Sequence, residues 1–411
     1  MPEVNQIYLG NALGVLKSWP DNFIHMAVTS PPYYALRDYK IGMAVWDEPA
    51  EPCEHEWSDY IRPAKGGGHN GIVHKQSISP YSAVDATVHG FCGRCQAWRG
   101  QLGLEPTLDM YIRHLVQIFR ELRRCLRTDG TFWVNIGDSY AGSGKGWATG
   151  QYKDVLPRFK TGENGIKEKD LMGVPWALAF ALRADGWYLR SDCLWIKNNC
   201  VPESVKDRPT RAHEYMFLLA KSKSYFYDLD AIRESNKGEQ REVAITEKGA
   251  GTYQILGKNK RTAWTINAGT FNKYGAGTRT PGGVTHHAAY PEELVEPCIL
   301  AGSCEAGVCA ECGAPMKRKV SVDAVESGAD EEILDDAPAE EPKFSLGWVR
   351  GCTCATDKVV PAIVFDPFMG TGTTAVVARK YGRDFLGIDA SPNFIEAAKA
   401  RLEHTRVQDD I

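Results

Sequence analysis

Nowhere in its 411 residues does the chain carry 18 consecutive apolar residues, which excludes a membrane-spanning helix. The opening segment, MPEVNQIYLGNALGVL, lacks a basic stretch followed by an apolar one, so no signal peptide is expected and the expected location is cytoplasmic. Charge of one sign is not in marked excess. The 48 Lys and Arg face 52 Asp and Glu, for a net charge of −4, so the overall balance does not point to an anionic partner. No helicase or nuclease motif is fused to the chain. Gly142-Ser143-Gly144-Lys145-Gly146 resembles a phosphate-binding loop, but no glycine stands five positions before Gly144, and Gly146 replaces the Ser or Thr that would hold magnesium. A glycine-rich loop is the better reading. With 43% hydrophobic and 24% charged residues, wholesale disorder is also excluded.

What is present is unevenly distributed. Ser321 to Pro342 holds nine Asp and Glu and no Lys or Arg, and reads as a flexible acidic loop. Lys237 to Arg279 holds eight Lys and Arg against three Glu, a local basic excess compatible with nucleic acid or with plain solvated loops. Twelve cysteines in an intracellular chain suggest metal ligands or buried thiols rather than disulfides. Two groups stand out by spacing. Cys53, His55, Cys92 and Cys95 form C-x-H and C-x-x-C; Cys309, Cys312, Cys352 and Cys354 form C-x-x-C and C-x-C. Each supplies four donors, enough for tetrahedral zinc with no open position, so the expected role is structural. Free surface thiols are the alternative.

The pattern along the chain alternates strand and helix. Gln6–Leu9 reads as a strand, Ala12–Ser18 as a helix, and His25–Thr29 as a strand ending abruptly at Ser30-Pro31-Pro32-Tyr33. Apolar residues at helical spacing predict a helix over Leu108–Leu126, closed by Asp129-Gly130 and followed by a strand at Thr131–Ile136. A helix over Met172–Asp185 and strands at Tyr188–Ile196 and Glu214–Ala220 follow. Val359–Phe365 predicts one buried strand, leading into Asp366-Pro367-Phe368-Met369-Gly370-Thr371-Gly372-Thr373-Thr374 and a helix over Ala375–Tyr381. Asp384–Ile388 is a further strand, ending at Asp389, with a last helix over Pro392–His404. A strand, a glycine turn, a helix and an acidic residue after the next strand make a nucleoside-binding half of a Rossmann-type sheet. The turn has F-x-G-x-G rather than G-x-G-x-x-G, which suits a ligand without a pyrophosphate.

Taken together, VTSPPY at Val28–Tyr33, DPFMGTGTT at Asp366–Thr374, GIDASPNFIEAAKARL from Gly387, and Tyr290-Pro291 ahead of the turn resemble the amino-group DNA methyltransferases that use S-adenosylmethionine. The resemblance covers about two-thirds of the chain. Because the target-base loop precedes the cofactor turn, it is similar to the circularly permuted β group. It implies an α/β fold, a Rossmann-like methyltransferase sheet with inserted zinc lobes. The implied organisation is core at 1–48, a zinc lobe at 49–105, core at 106–235, a variable and target-recognising lobe at 236–284, and a cofactor half at 285–411 that carries a second zinc lobe at 303–356.

The same resemblance implies site residues. Ser30 and the Pro31 carbonyl would accept from the target amine, Pro31-Pro32 would stiffen the loop, and Tyr33 would stack on a base flipped out of double-stranded DNA. Asn11, Tyr290, Pro291, Asp366, Phe368, Gly370, Gly372, Thr373 and Asp389 would hold S-adenosylmethionine. Asn11 departs from the usual Asp, and His286-His287 from the usual His-Pro. Lys197, Arg208 and Arg211 would contact DNA phosphates. A serine heading the loop fits cytosine-N4 enzymes, with adenine N6 as the alternative. A non-catalytic zinc-ribbon DNA-binding protein on this fold also remains open, as does an RNA or protein-amide substrate. A cognate restriction endonuclease and a monomer or homodimer are the further expectations.

Overall fold

The structure, a computed structural model, describes residues 1–36, 39, 41–57, 90–141, 166–200, 202–234, 258–268, 278–279, 285–286, 290–321, 344–405 and 407. The glycine-rich segment 142–146, His287, most of the expected variable lobe and the acidic tract from 322 onward lie outside the described residues.

Seventeen strands occur among the described residues. The first six are β1 (Gln6–Leu9), β2 (Ile24–Thr29), β3 (Ala44–Trp46), β4 (Gly90–Phe91), β5 (Trp98–Gly100) and β6 (Leu126–Ile136). Next come β7 (Tyr188–Ile196), β8 (His213–Ala220), β9 (Ala263–Thr265), β10 (Thr278–Arg279), β11 (Thr285–His286) and β12 (Val308–Cys309). The last are β13 (Lys317–Ser321), β14 (Phe344–Val349), β15 (Val359–Val360), β16 (Ile363–Asp366) and β17 (Asp384–Asp389). The helices are α1 (Ala12–Lys17), α2 (Leu108–Cys125), α3 (Val174–Ala184), α4 (Glu292–Gly302), α5 (Thr373–Lys380) and α6 (Pro392–Glu403).

Eight strands form one mixed sheet in the order β1-β17-β16-β2-β6-β8-β7-β9. Its β1-to-β6 part is parallel throughout, and β8 is antiparallel to both β6 and β7. Alternation along the strands sends side chains to two separate cores. Phe132, Val134, Phe217 and Leu219 pack with Leu115, Phe119 and Leu178 of α2 and α3. Trp133, Met216 and Leu218, with Met26 and Val28, pack with Val295 and Ile299 of α4 and Val377 of α5. Both faces are thus covered, as a parallel sheet requires.

Two elements differ from the sequence expectation. Helix α2 ends at Cys125, and Leu126 turns directly into β6 with ψ 141°, so Asp129-Gly130 lies inside the strand rather than closing the helix. The apolar run Val359–Phe365 is two strands. Pro361 has no N–H to give a ladder. Upstream of it β15 pairs antiparallel with β12, and downstream β16 enters the main sheet. The small sheet β3-β5-β4 takes its first strand from upstream of residue 48.

Candidate functional site

The carboxyl ends of β1, β2, β6, β7, β16 and β17 open into a cleft of about 590 Å³, bounded also by Glu214 near the start of antiparallel β8. This is the edge where open α/β sheets place ligands, and the volume suits a nucleoside-sized molecule together with a base. Asn11, Ser30, Pro31, Pro32, Tyr33, Tyr290, Phe368, Gly370, Thr373 and Asp389 all line it. Residues from both ends of the chain therefore share one cavity.

On one side, the turn after β16 is held by Asp389. Its Oδ2 accepts from Gly370 N at 2.7 Å and its Oδ1 from Ser391 N at 2.8 Å. Burial nevertheless pushes the Asp389 carboxyl up to about 6, against those two donors. Asn11 caps α1, its Oδ1 accepting from Leu13 N at 3.0 Å and Gly14 N at 3.3 Å.

Three expected cofactor contacts stand elsewhere. Asp366 is 1% exposed and does not line the cleft. Its oxygens accept from Thr29 Oγ1 (2.5 Å), Phe368 N (2.9 Å), Tyr290 Oη (2.9 Å) and Thr374 Oγ1 (2.6 Å). Through these four donors it ties β2, α4 and α5 to the turn. Gly372, at φ +82°, also lies behind the cleft; a Cβ there would sit 2.8 Å from Ala398 Cβ of α6. Its missing side chain serves helix packing. Pro291 is the N-cap of α4 and is likewise set back from the cleft wall.

On the other side, the loop after β2 is braced from below. Tyr111 donates to the Pro32 carbonyl at 2.7 Å, and Ala35, at φ 51°, donates its N–H to Gly103 O at 2.7 Å. Ser30 Oγ donates to Tyr33 Oη at 3.4 Å, and Tyr33 Oη in turn reaches Glu214 Oε2 at 2.6 Å, with Asn135 Oδ1 at 3.0 Å. Burial and the Glu214 carboxylate push the Tyr33 phenol well above its ordinary range. The other Glu214 oxygen binds Lys197, whose ammonium stands 4.1 Å over the Trp195 ring. Asn135, Trp195, Lys197 and Glu214 line the same cleft.

Lys197 is therefore a cleft residue with 18% side-chain exposure, not a free surface cation. Arg208 pairs with Glu203 and lies 3.7 Å over the Tyr140 ring; Arg211 is 3.6 Å from Asp138 and 15% exposed. Neither lines the cleft, and each already has a protein partner.

Both Cys/His groups are brought together as the spacing suggested. In each, the four ligand atoms lie within 4.8 Å of one another. In the first, Cys53 and Cys92 sulfurs are 4.0 Å apart, and Cys95 Sγ is 3.4 Å from His55 Nδ1. His55 Nε2 points to Glu48 at 3.5 Å, the carboxylate partner that metal-binding imidazoles commonly have. Glu48 follows Asp47 and Trp46. Asp47 binds Arg113 at 2.6 Å, Gln117 at 2.7 Å and His114 Nε2 at 3.2 Å; although burial opposes ionisation, these partners hold its carboxyl down to about 2. His114 Nδ1 meets buried Glu105 at 3.0 Å, and the imidazole is stacked between Trp46 (4.6 Å) and Trp98 (5.5 Å). Trp46 is itself a cleft residue.

The second group sits at the opposite edge of the sheet. Arg127 donates to Cys312 O at 2.7 Å, and His25, near the start of β2, lies 3.1 Å from Gly313 O. The Ile363 N–H donates to His25 Nδ1 at 2.9 Å, so the ring proton is on Nε2 and faces Gly313. Burial, aided by Arg127, pulls this imidazole down to about 4.

The glycine turn after β16 and the braced Ser-Pro-Pro-Tyr loop thus face one cleft. The chain belongs to the DNA methylase family of amino-group (cytosine-N4 or adenine-N6), S-adenosylmethionine-dependent DNA methyltransferases, whose family profile matches residues 24–311 and 355–400. Such enzymes act on DNA with the target base turned out of the stack. Among its relatives, the type II methyltransferase M.Cfr9I of Citrobacter freundii is 32% identical over 97% of this chain and 87% of that protein. The type II methyltransferase M.SmaI of Serratia marcescens is 36% identical over 75% of this chain and 79% of that protein. The solved PvuII DNA methyltransferase (cytosine-N4-specific) aligns over 100% of this chain and 89% of that one, at 13% identity and a TM-score of 0.49, a distant likeness. No helix among the described residues is long and apolar enough to cross a membrane.

Proposed function

We propose that the protein methylates the N4 amine of cytosine within a specific double-stranded DNA sequence. What carries the choice of cytosine is the identity of Ser30, which heads the target loop as serine does in cytosine-N4 enzymes; the hydrogen bonding around it supports an acceptor for the amine of either base. Its hydroxyl proton is directed to Tyr33, and the Tyr33 proton to Glu214. Both Ser30 lone pairs are left to accept from an amine, and their basicity is raised by the carboxylate at the end of the chain.

An exocyclic amine conjugated with the ring is a poor nucleophile. Acceptors at Ser30 Oγ and the Pro31 carbonyl favour the pyramidal nitrogen that forms as the bond to carbon develops. Bound S-adenosylmethionine supplies an electrophilic sulfonium methyl. The residues facing that side fit a nucleoside: Asp389 has carboxylate lone pairs left for ribose hydroxyls, Phe368 offers a ring to the base, and Gly370 and Thr373 line the turn. Tyr33, pinned through its hydroxyl, presents a fixed ring against which the flipped base stacks.

In this reading the target half (1–48 and 106–235) precedes the cofactor half (285–411), a circularly permuted order. The lobe at 236–284 reads the DNA sequence together with the zinc lobes. Each Cys/His group binds one Zn²⁺: tetrahedral thiolate coordination needs sulfurs about 3.8 Å apart, near the spacing found here. A paired restriction endonuclease is proposed by extension from the type II relatives. Expression in a methylation-free host, with nucleoside mass spectrometry and single-molecule sequencing of the DNA, is the test. N4-methylcytosine in one sequence context is expected; N6-methyladenine would replace this reading with its runner-up, and unmodified DNA would favour a non-catalytic DNA-binding role.

A further inference from the structure

At the mouth of the cleft stand Asn135, Trp195, Lys197 and Glu214, and the last of these already ends the hydrogen-bond chain from Ser30 and Tyr33. In the antiparallel β7–β8 pair Trp195 stands directly opposite Glu214, and Lys197 lies two residues beyond Trp195, so the three side chains share one face at the mouth of the cleft. Trp195 is 4% exposed and fixed by its indole N–H to Ile266 O at 2.8 Å. Glu214 bridges, with one oxygen on Tyr33 and the other on Lys197. The acceptor at Ser30 is therefore connected through Tyr33 and Glu214 to a cationic donor at Lys197. An ammonium has three N–H groups. One is committed to Glu214, Trp195 covers one side of the group, and the residue still lines the cleft.

A wall with an acceptor at one end and a donor at the other discriminates between bases that carry an amine. Along its pairing edge cytosine presents an amine donor, the N3 acceptor and then the O2 acceptor. Adenine presents an amine donor, the N1 acceptor and then a C–H. With the amine on Ser30, only cytosine has a carbonyl at the far end for a donor to meet. We propose that Lys197 is a specificity-determining residue that donates to the O2 carbonyl of the flipped cytosine, with Glu214 positioning it relative to the Ser30–Tyr33 loop. The inference rests on the cytosine-N4 reading. Its physical force comes from burial: a site built to hydrogen-bond a group rejects an analogue lacking that group, because its own polar atom is left unpaired.

The test is a double-mutant cycle on the holoenzyme. One axis is Lys197→Met, which keeps the stem and removes the donor. The other is the target base, either cytosine or a 2-aminopyridine C-nucleoside that keeps the amine and the adjacent ring nitrogen but lacks the carbonyl. Each is placed in a duplex of the sequence context found by sequencing. Wild-type enzyme is expected to lose roughly 10- to 100-fold in kcat/KM on the analogue. Lys197→Met is expected to lose a similar factor on cytosine and nothing further on the analogue. Equal losses from the substitution on both bases, or none on cytosine, overturn the proposal while leaving the cytosine-N4 reading intact. N6-methyladenine as the wild-type product overturns the reading and the proposal together. Calorimetric S-adenosylmethionine affinity unchanged in Lys197→Met certifies the fold. Should that variant misfold, Lys197→Arg, which keeps a donor, must retain the wild-type preference for cytosine over the analogue; losing that preference overturns the proposal.

Discussion

The two edges of the main sheet each carry a Cys/His quartet, and the neighbourhoods differ. At the carboxyl edge the Cys53 group adjoins a lobe whose Trp46, Gly100 and Leu102 form part of the cleft wall, linked through Glu48 and Asp47 to α2. At the amino edge the Cys309 group meets His25 and Arg127, where β2 and β6 begin, and none of these residues lines the cleft. Similar donor sets thus serve different ends. One quartet adjoins the lobe that forms part of the cleft wall, and the other lies where β2 and β6 begin. Damage at the first edge should appear in kinetics, and damage at the second in stability.

The largest effect on that contrast is expected from Ser30→Ala. It removes an acceptor for the target amine and should cost about 2–4 kcal/mol in turnover, with S-adenosylmethionine affinity preserved. Full turnover on saturating DNA would falsify the assignment of the loop. Next come the quartets themselves. Elemental analysis should find two zinc ions per chain, and one in either Cys92→Ser or Cys309→Ser. Cys92→Ser should lower kcat/KM for DNA by about tenfold or more through a loosened cleft wall, with melting little changed. Cys309→Ser should do the converse, lowering Tm by on the order of 5 °C with kcat/KM near wild type at low temperature. Exchanged outcomes would erase the distinction between the edges.

A third prediction sharpens it through pH. His25 is held neutral, with its pKa lowered to about 4 from an ordinary 6.5. The unfolded chain therefore binds the extra proton first. The stabilisation is complete above about pH 6.5 and is lost as pH falls towards 4, a span of about 3 kcal/mol. Denaturant titrations across that range should show this acid limb in wild-type protein and its disappearance in His25→Ala. The smallest effect belongs to the cofactor side. Asp389, raised to about 6, must be ionised to accept from two ribose hydroxyls. S-adenosylmethionine affinity should fall about tenfold between pH 7 and 5, and Asp389→Asn should bind more weakly with a flat profile. A sloping profile in that variant would place the titrating group elsewhere.

Ser30-Pro31-Pro32-Tyr33, the glycine turn and Asp389 were legible because a parallel sheet puts its functional residues immediately after strand ends, where a few contiguous letters carry the chemistry. Each half of a quartet was legible because C-x-H, C-x-x-C and C-x-C are local spacings, while the fold brings the halves together. Glu214, 181 positions from Tyr33, and His114, 67 from Asp47, were not, since only the folded sheet and α2 bring those pairs together. The available signals were Trp195-x-Lys197 leaving one strand and Glu214 entering the next, an aromatic and two charges at apolar strand ends. The surroundings of Asp366 were illegible for a related reason: its motif marks the turn, but not the four donors that the fold gathers round its carboxylate. Pro361 was the overlooked signal inside the run that reads as a single strand.

One pairing bears on how the chain is made. Gln6 to Leu9 lie beside Leu386 to Asp389, and β2 beside β16, more than 330 residues later. At about 5–20 residues per second, a ribosome needs roughly 20–75 s between making the first strand and its partner. By the time residue 220 has emerged, β2, β6, β8 and β7 can already assemble with α2 and α3. The growing chain then holds part of the sheet with the backbone edge of β2 waiting for β16, and with apolar Met26 and Val28 on the face that α4 and α5 cover later. Cofactor-facing strands come last, so a nascent chain halted before β16 should be the species that chaperones hold and that aggregates.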